Sequence, residues 1–225
     1  GEDKALGRTG RNLHGRVGAV GREDKTAFAI PRAPRPETAA ANEHRVERLP
    51  VVAPAIENLH RHGIIVWGSV IFGTDGDSKD SFKEMTEFAL ETGLDILTFG
   101  IFTPMPLTPS FHRMTQEGRI FRNRFPEDWF YYNSNHLVYN LKDMSLEDFI
   151  EGLEYVYENL YSREALKARF DRTLKETNNS KNSMFAYRIN IDWRAVFKSV
   201  IDDLKVLYNS GDYPGVKGRS QVATR

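Results

Sequence analysis

Two loops hold most of the residues that could do chemistry. Gly73-Thr-Asp-Gly-Asp-Ser78 combines glycines, which let a ligand approach the backbone, with a helix start behind it and the positive dipole end that such a start offers. It is not a phosphate loop, because no Gly-Lys-Ser/Thr follows. Nor is it a calcium loop, because Lys79 falls where an oxygen ligand is needed. Asp75 and Asp77 could pair as acid and base or hold magnesium, but turn-forming and capping roles explain them as well. The second loop is Thr103-Pro-Met-Pro-Leu-Thr-Pro109. A planar group such as adenine could lie across the two, gripped by main-chain hydrogen bonds and by Ile71 and Ile101.

The other candidates are weaker. The six histidines are dispersed, and His60 and His62 do not share a helix face, so solvated or singly hydrogen-bonded rings are expected. Arg119, Arg122 and Arg124 interleave with Phe121 and Phe125 and run into Trp129, Phe130, Tyr131 and Tyr132, a pattern that can stack bases and contact phosphates. A covering segment that buries its aromatics and leaves its arginines wet is the plainer reading. Cysteine is absent from all 225 residues, which excludes disulfides, thiolate nucleophiles and an iron–sulfur cluster held by this chain's own thiolates.

The elements that must position these loops follow from periodicity. Val52, Ala55, Ile56 and Leu59 predict a helix over 51–62 that stops at Gly63. Ile64 to Phe72 is nearly continuous, apolar and β-branched, as for a strand buried on both faces of a parallel sheet. A helix capped by Asp77 or Ser78 carries Phe82, Met85, Phe88 and Ala89 on one face and ends at Gly93. A second apolar strand, Ile96 to Phe102, completes a βαβ unit, and ligands in such folds collect at the C-terminal ends of strands. Prolines end that strand, and a short helix over 110–117 stops at Gly118. From Ser145 helices dominate: Ser145 and Asp148 start one, Ser162 caps another to about Lys175, and a last long helix ends near Gly211. The Tyr155, Tyr157 and Tyr161 cluster reads as packing between helices.

Composition divides the chain. Residues 1–50 hold six of the 17 glycines and eight arginines but a single aromatic, Phe28, and read as low-order or misjoined sequence. Residues 51–118 carry the βα units, and 119–225 an aromatic linker and a helical region. With 31 basic and 31 acidic residues no global field favours nucleic acid, and no apolar run reaches the roughly 20 residues of a membrane helix, so a soluble cytoplasmic protein without nucleic-acid partners is expected.

The order of residues 63–120 resembles the last part of a radical S-adenosylmethionine (SAM) barrel of the cobalamin-binding type. Ser69-Val-Ile71-Phe-Gly73 matches the family's G-x-I-x-G-like motif beside the SAM adenine, with Ser in the first glycine's place. Phe102-Thr-Pro-Met-Pro-Leu-Thr-Pro109 matches the segment ending the sixth strand, with Leu107 where the family has glycine, although leucine resists positive φ. The likeness continues through Asp128-Trp129, Met144-Ser145 and Tyr161-Ser162, covering about 51–175.

The resemblance implies the C-terminal fragment of a partial TIM-type (β/α)6 barrel followed by an α-helical region. It also implies a SAM surface at Ser69, Ile71, Gly73, Asp75, Ile101 and Thr103, and a parent enzyme acting on a small-molecule substrate. That family uses a [4Fe-4S] cluster on a CxxxCxxC loop to cleave SAM to a 5′-deoxyadenosyl radical, in some members with cobalamin, and this chain has no such cysteines. The expectation is therefore a truncated piece, inactive alone, whose Gly73→Val change would block the adenine edge and spare the helices. Two alternatives stand beside it: a helical module that docks protein or nucleic acid through 119–132, and a barrel enzyme of other chemistry using Asp75 and Asp77.

Overall fold

A computed structural model of the chain describes residues 49–214; the predicted low-order segment 1–50 lies outside the described residues but for its last two. Helix α1 (Leu49–Arg61) leads to strand β1 (Trp67–Phe72), helix α2 (Lys79–Thr92) and strand β2 (Ile96–Ile101). Helix α3 (Pro109–Gln116), a 3-10 turn (Glu127–Tyr131) and helices α4 (Leu146–Tyr161), α5 (Arg163–Thr177) and α6 (Ser180–Ser210) follow. The result is a helix-rich α/β arrangement on a two-stranded parallel sheet, with Trp67 opposite Ile96 and Phe72 opposite Ile101.

The helix limits obey local chemistry. The Ser145 hydroxyl accepts the Asp148 N–H at 3.0 Å, and Ser162 accepts the Ala165 N–H at 3.2 Å. Each satisfies a backbone donor that the first turn of a helix leaves orphaned. Left-handed Gly93 and Gly211 close α2 and α6 at φ 82° and 75°.

Helices cover one face of the sheet. Phe72 stacks on Phe82 and Phe99 with centroids 4.7 and 5.6 Å apart, and Phe99 continues to Tyr161 and Phe197. Phe72, Phe82 and Phe149 are buried, each contributing roughly 1.5–3 kcal/mol. Gly152 lets α4 come this close, since a Cβ there would lie 2.3 Å from the Phe82 ring.

The other face differs from expectation. Instead of being buried on both sides, β1 exposes Trp67, Ser69 and Ile71, with Ile71 55% exposed. Side chains alternate along a strand, and the aromatic core packs against the Phe72 side; on the Ile71 side Ile96 and Thr98 of β2 are buried while the residues of β1 are exposed. The strand also starts three residues late, because the Val66 N–H goes to the Asp95 carboxylate at 2.7 Å. That carboxylate accepts the Thr173 hydroxyl at 2.6 Å as well and meets His60 Nε2 at 2.9 Å. His60 Nδ1 lies 2.8 Å from Glu176, so this ring is buried between two carboxylates rather than solvated or singly bonded.

Candidate functional site at the strand ends

The parallel register brings both loops to one rim: Gly73 follows Phe72, Thr103 lies two residues past Ile101, and the Phe102 N–H donates to the Phe72 carbonyl at 2.8 Å. The six residues implied by the resemblance therefore lie on two paired strands and the loops at their ends, but their functional groups are not equally available.

Gly73 is committed to the protein. Its N–H donates to Asp77 at 3.0 Å, its carbonyl accepts the Tyr139 hydroxyl at 2.5 Å, and φ is +91°. A Cβ there would sit 2.6 Å from the Tyr139 oxygen and 3.4 Å from Phe149. The Gly73→Val change thus strikes the core at Tyr139 and Phe149 and does not spare the packing behind the loop. Burial pushes the Tyr139 phenol above its ordinary range, keeping it a neutral donor to the Gly73 carbonyl.

Asp77 is buried and accepts from the Thr74 N–H and hydroxyl, both at 2.9 Å, which is the turn-forming role. Asp75 lies 3.0 Å from Arg113 and 2.8 Å from Arg119. Burial works against the Arg119 cation, but Asp75 and Glu117 outweigh it and leave its pKa raised. Both aspartates are held by partners within the protein. Among the described residues no cluster of three or more His, Cys, Asp or Glu could hold a metal.

The Thr103 hydroxyl donates to the Ile101 carbonyl at 3.2 Å and accepts the Ser134 N–H at 3.1 Å, fastening the aromatic segment to the end of β2. Ile101 shares the buried face with Phe72, opposite Ile71, so the two isoleucines cannot grip one ring from the same side. What faces outward is Ile71 and Ser69, with the Ser69 hydroxyl 2.8 Å from Thr98 and the Trp67 indole N–H donating to Thr98 at 3.2 Å. Sequence reasoning missed Trp67 and Thr98; the period-2 alternation across paired strands was the signal that could have found them.

Leu107 holds the conformation its glycine counterpart would take, at φ 70°, and is 87% exposed. The aromatic segment reverses part of its expected pattern. Arg119 is part-buried and paired with Asp75, and Arg122 lies over the Tyr131 ring at 4.2 Å, whereas Trp129 and Phe130 are 49% and 70% exposed.

Residues 108–205 match a domain of unknown function, DUF4070. The chain is 30% identical over 122 residues to bacteriochlorophyllide d C-12(1)-methyltransferase of Chlorobaculum tepidum, covering 54% of this chain and 25% of that protein. Bacteriochlorophyllide d C-8(2)-methyltransferase of the same organism is 28% identical over 99 residues, 44% of this chain and 21% of that one. Anaerobic magnesium-protoporphyrin IX monomethyl ester cyclase of Cereibacter sphaeroides is 24% identical over 112 residues, 50% and 17%. The chain thus spans about a quarter or less of the length of these relatives, and no solved structure matches it. No helix among the described residues is long and apolar enough to cross a membrane. The DUF4070 match and these relatives make the chain similar in part to two methyltransferases and a cyclase, in line with the radical SAM resemblance of its sequence.

Proposed function

We propose that residues 51–118 form the last strand pair of a radical SAM barrel and that 119–214 form its helical cap, in an enzyme that acts on a small molecule. One observation carries this reading: the sheet is closed on one side only. Along the outer edge of β2 the Leu97 N–H and carbonyl pair with Asn190 and Tyr161, and the Ile101 N–H pairs with the Ser134 carbonyl at 2.7 Å. On the outer edge of β1 the backbone groups of Trp67, Ser69 and Ile71 have no hydrogen-bond partner among the described residues, and that edge suits further parallel strands. The open face beside it suits a barrel interior.

When bound, SAM and a cluster supply the radical chemistry. This chain's part is to present Ile71 and Ser69 to the adenine and to hold the rim through Gly73, Asp75, Ile101 and Thr103. It offers no thiolate for the cluster, so iron and sulfide reconstitution of the chain alone should give no thiolate absorption near about 400 nm. The relatives' names specify bacteriochlorophyllide d and magnesium-protoporphyrin IX monomethyl ester; a substrate of that class in the complete enzyme is part of this proposal.

With one strand edge unpaired the adenine surface is half built, so ligand-observed NMR should find SAM and 5′-deoxyadenosine binding in the millimolar range, roughly 4 kcal/mol. Ile71→Asp, at an exposed position, should abolish that binding without unfolding the chain. Tight binding that survives Ile71→Asp would overturn the assignment.

A further inference from the structure

A cavity of about 440 Å³ lies away from the open face, between the aromatic segment and the last turns of α6. Phe130 and Val206, on separate elements, are among its walls and are 70% and 67% exposed. Arg122 also lines it. Its guanidinium lies over Tyr131 at 4.2 Å and has no hydrogen-bond or ion-pair partner among the described residues. His136 stands beside it, with the Phe130 and Tyr131 rings each 5.4 Å from its own. Its ring nitrogens likewise have no partner among the described residues. Burial holds His136 below its ordinary pKa, outweighing Asp203, which pulls it up more strongly than Arg122 pushes it down, and this leaves a neutral imidazole that can donate one hydrogen bond and accept another.

An unpaired, stacked guanidinium offers a planar fork of donors that matches a carboxylate. The flanking rings and the Val206 and Leu207 side chains match a flat apolar body, and the volume is that of a small-molecule site. We propose that this cavity binds a flat, apolar monocarboxylate, with the carboxylate on Arg122 and His136 and the ring system against Phe130 and Val206. Asp203 and Asp212 also line the cavity and work against any anion there, so the ligand carries no more than the one carboxylate that Arg122 can seat. None of Ser69, Ile71, Gly73, Asp75, Ile101 and Thr103 lines this cavity, so it stands or falls independently of the radical SAM proposal.

The probe is 1-pyrenebutyrate, with its methyl ester as the neutral control, titrated by fluorescence into the full chain and mapped by amide NMR. The acid should bind at least tenfold more tightly than the ester and shift the amides of 130–137 and 203–212. Arg122→Gln should erase the preference for the acid. Because that change could loosen the aromatic segment, Val206→Trp provides a second arm: at an exposed position it should fill the cavity and abolish binding while Tm and circular dichroism stay unchanged. Equal affinity for acid and ester, shifts confined to other surfaces, or full binding by folded Val206→Trp would each overturn the proposal.

Discussion

Asn190, on α6, pairs with Leu97 as a further strand would. Its side-chain oxygen accepts the Leu97 N–H at 3.2 Å while its amide donates to the Asp95 carbonyl at 2.7 Å, two residues back on the same edge. The same oxygen accepts from Arg169 at 3.3 Å, and Tyr161 donates to the Leu97 carbonyl at 2.5 Å. A side-chain amide carries the donor and the acceptor of a peptide, so it can finish a sheet edge in a helical setting where no strand fits. Asn190→Leu keeps the volume and leaves two backbone groups and one guanidinium short of partners. A loss of about 2–4 kcal/mol in urea unfolding is expected, and a loss below about 1 kcal/mol would show that this edge does not need closing.

That edge also marks the limit of what the sequence makes legible. The caps at Ser145, Ser162, Gly93 and Gly211 can be read directly, because donor and acceptor lie within a few residues of each other. The parallel strand pair follows from two apolar runs with a helix between them. By contrast, the Asp95 network joins positions 60, 66, 95, 173, 176 and 190, and no local pattern announces it. The half-exposed state of β1 is hidden too, since an apolar β-branched run looks the same whether its second face is covered by this part of the chain or by something else. At the rim the sequence places two loops together but cannot show that Asp75 is held by Arg113 and Arg119 or that Gly73 is held by Tyr139.

Leu107 should be the easiest position to improve. A left-handed conformation costs a non-glycine residue about 1–2 kcal/mol, partly offset by the lower backbone entropy of leucine in the unfolded chain. At 87% exposure the side chain returns little burial in exchange. Leu107→Gly should therefore raise stability by roughly 0.5–1 kcal/mol, read as a higher Tm. A lower Tm would mean that the leucine makes contacts in solution that outweigh the strain.

Gly73 and Gly76 form a matched pair for separating strain from crowding. Their φ angles are +91° and +93°, but a Cβ at Gly73 meets the Tyr139 hydroxyl at 2.6 Å whereas one at Gly76 meets nothing within 4 Å. Gly76→Ala should cost only the backbone term, about 1 kcal/mol, and Gly73→Ala about 1–3 kcal/mol more. Equal losses in chemical denaturation would indicate that Tyr139 moves aside freely.

Alkaline pH should weaken the fold through its buried phenols. Burial, followed by the nearby Asp128 charge, pushes Tyr132 up to about 12, and burial raises Tyr139, Tyr161 and Tyr213 as well. Each phenol keeps its proton to a higher pH when folded than when unfolded, so between the ordinary value of about 10 and the folded value the native state binds more protons. Stability is then fully present below about pH 10 and falls as pH rises through that window. For Tyr132 the window closes near 12; for Tyr139 and Tyr161 it extends further. The urea midpoint should be level from about pH 8 to 9.5 and fall steeply by about pH 11. Tyr132→Phe should reduce that slope while costing some stability at neutral pH, because its hydroxyl donates to the Arg122 carbonyl at 2.5 Å. Absorbance titration should show a set of phenols ionising only as the chain unfolds. If all nine tyrosines ionise reversibly near pH 10 in the folded state, the packing of the aromatic segment against the strand ends is looser than Tyr132 and Tyr139 require.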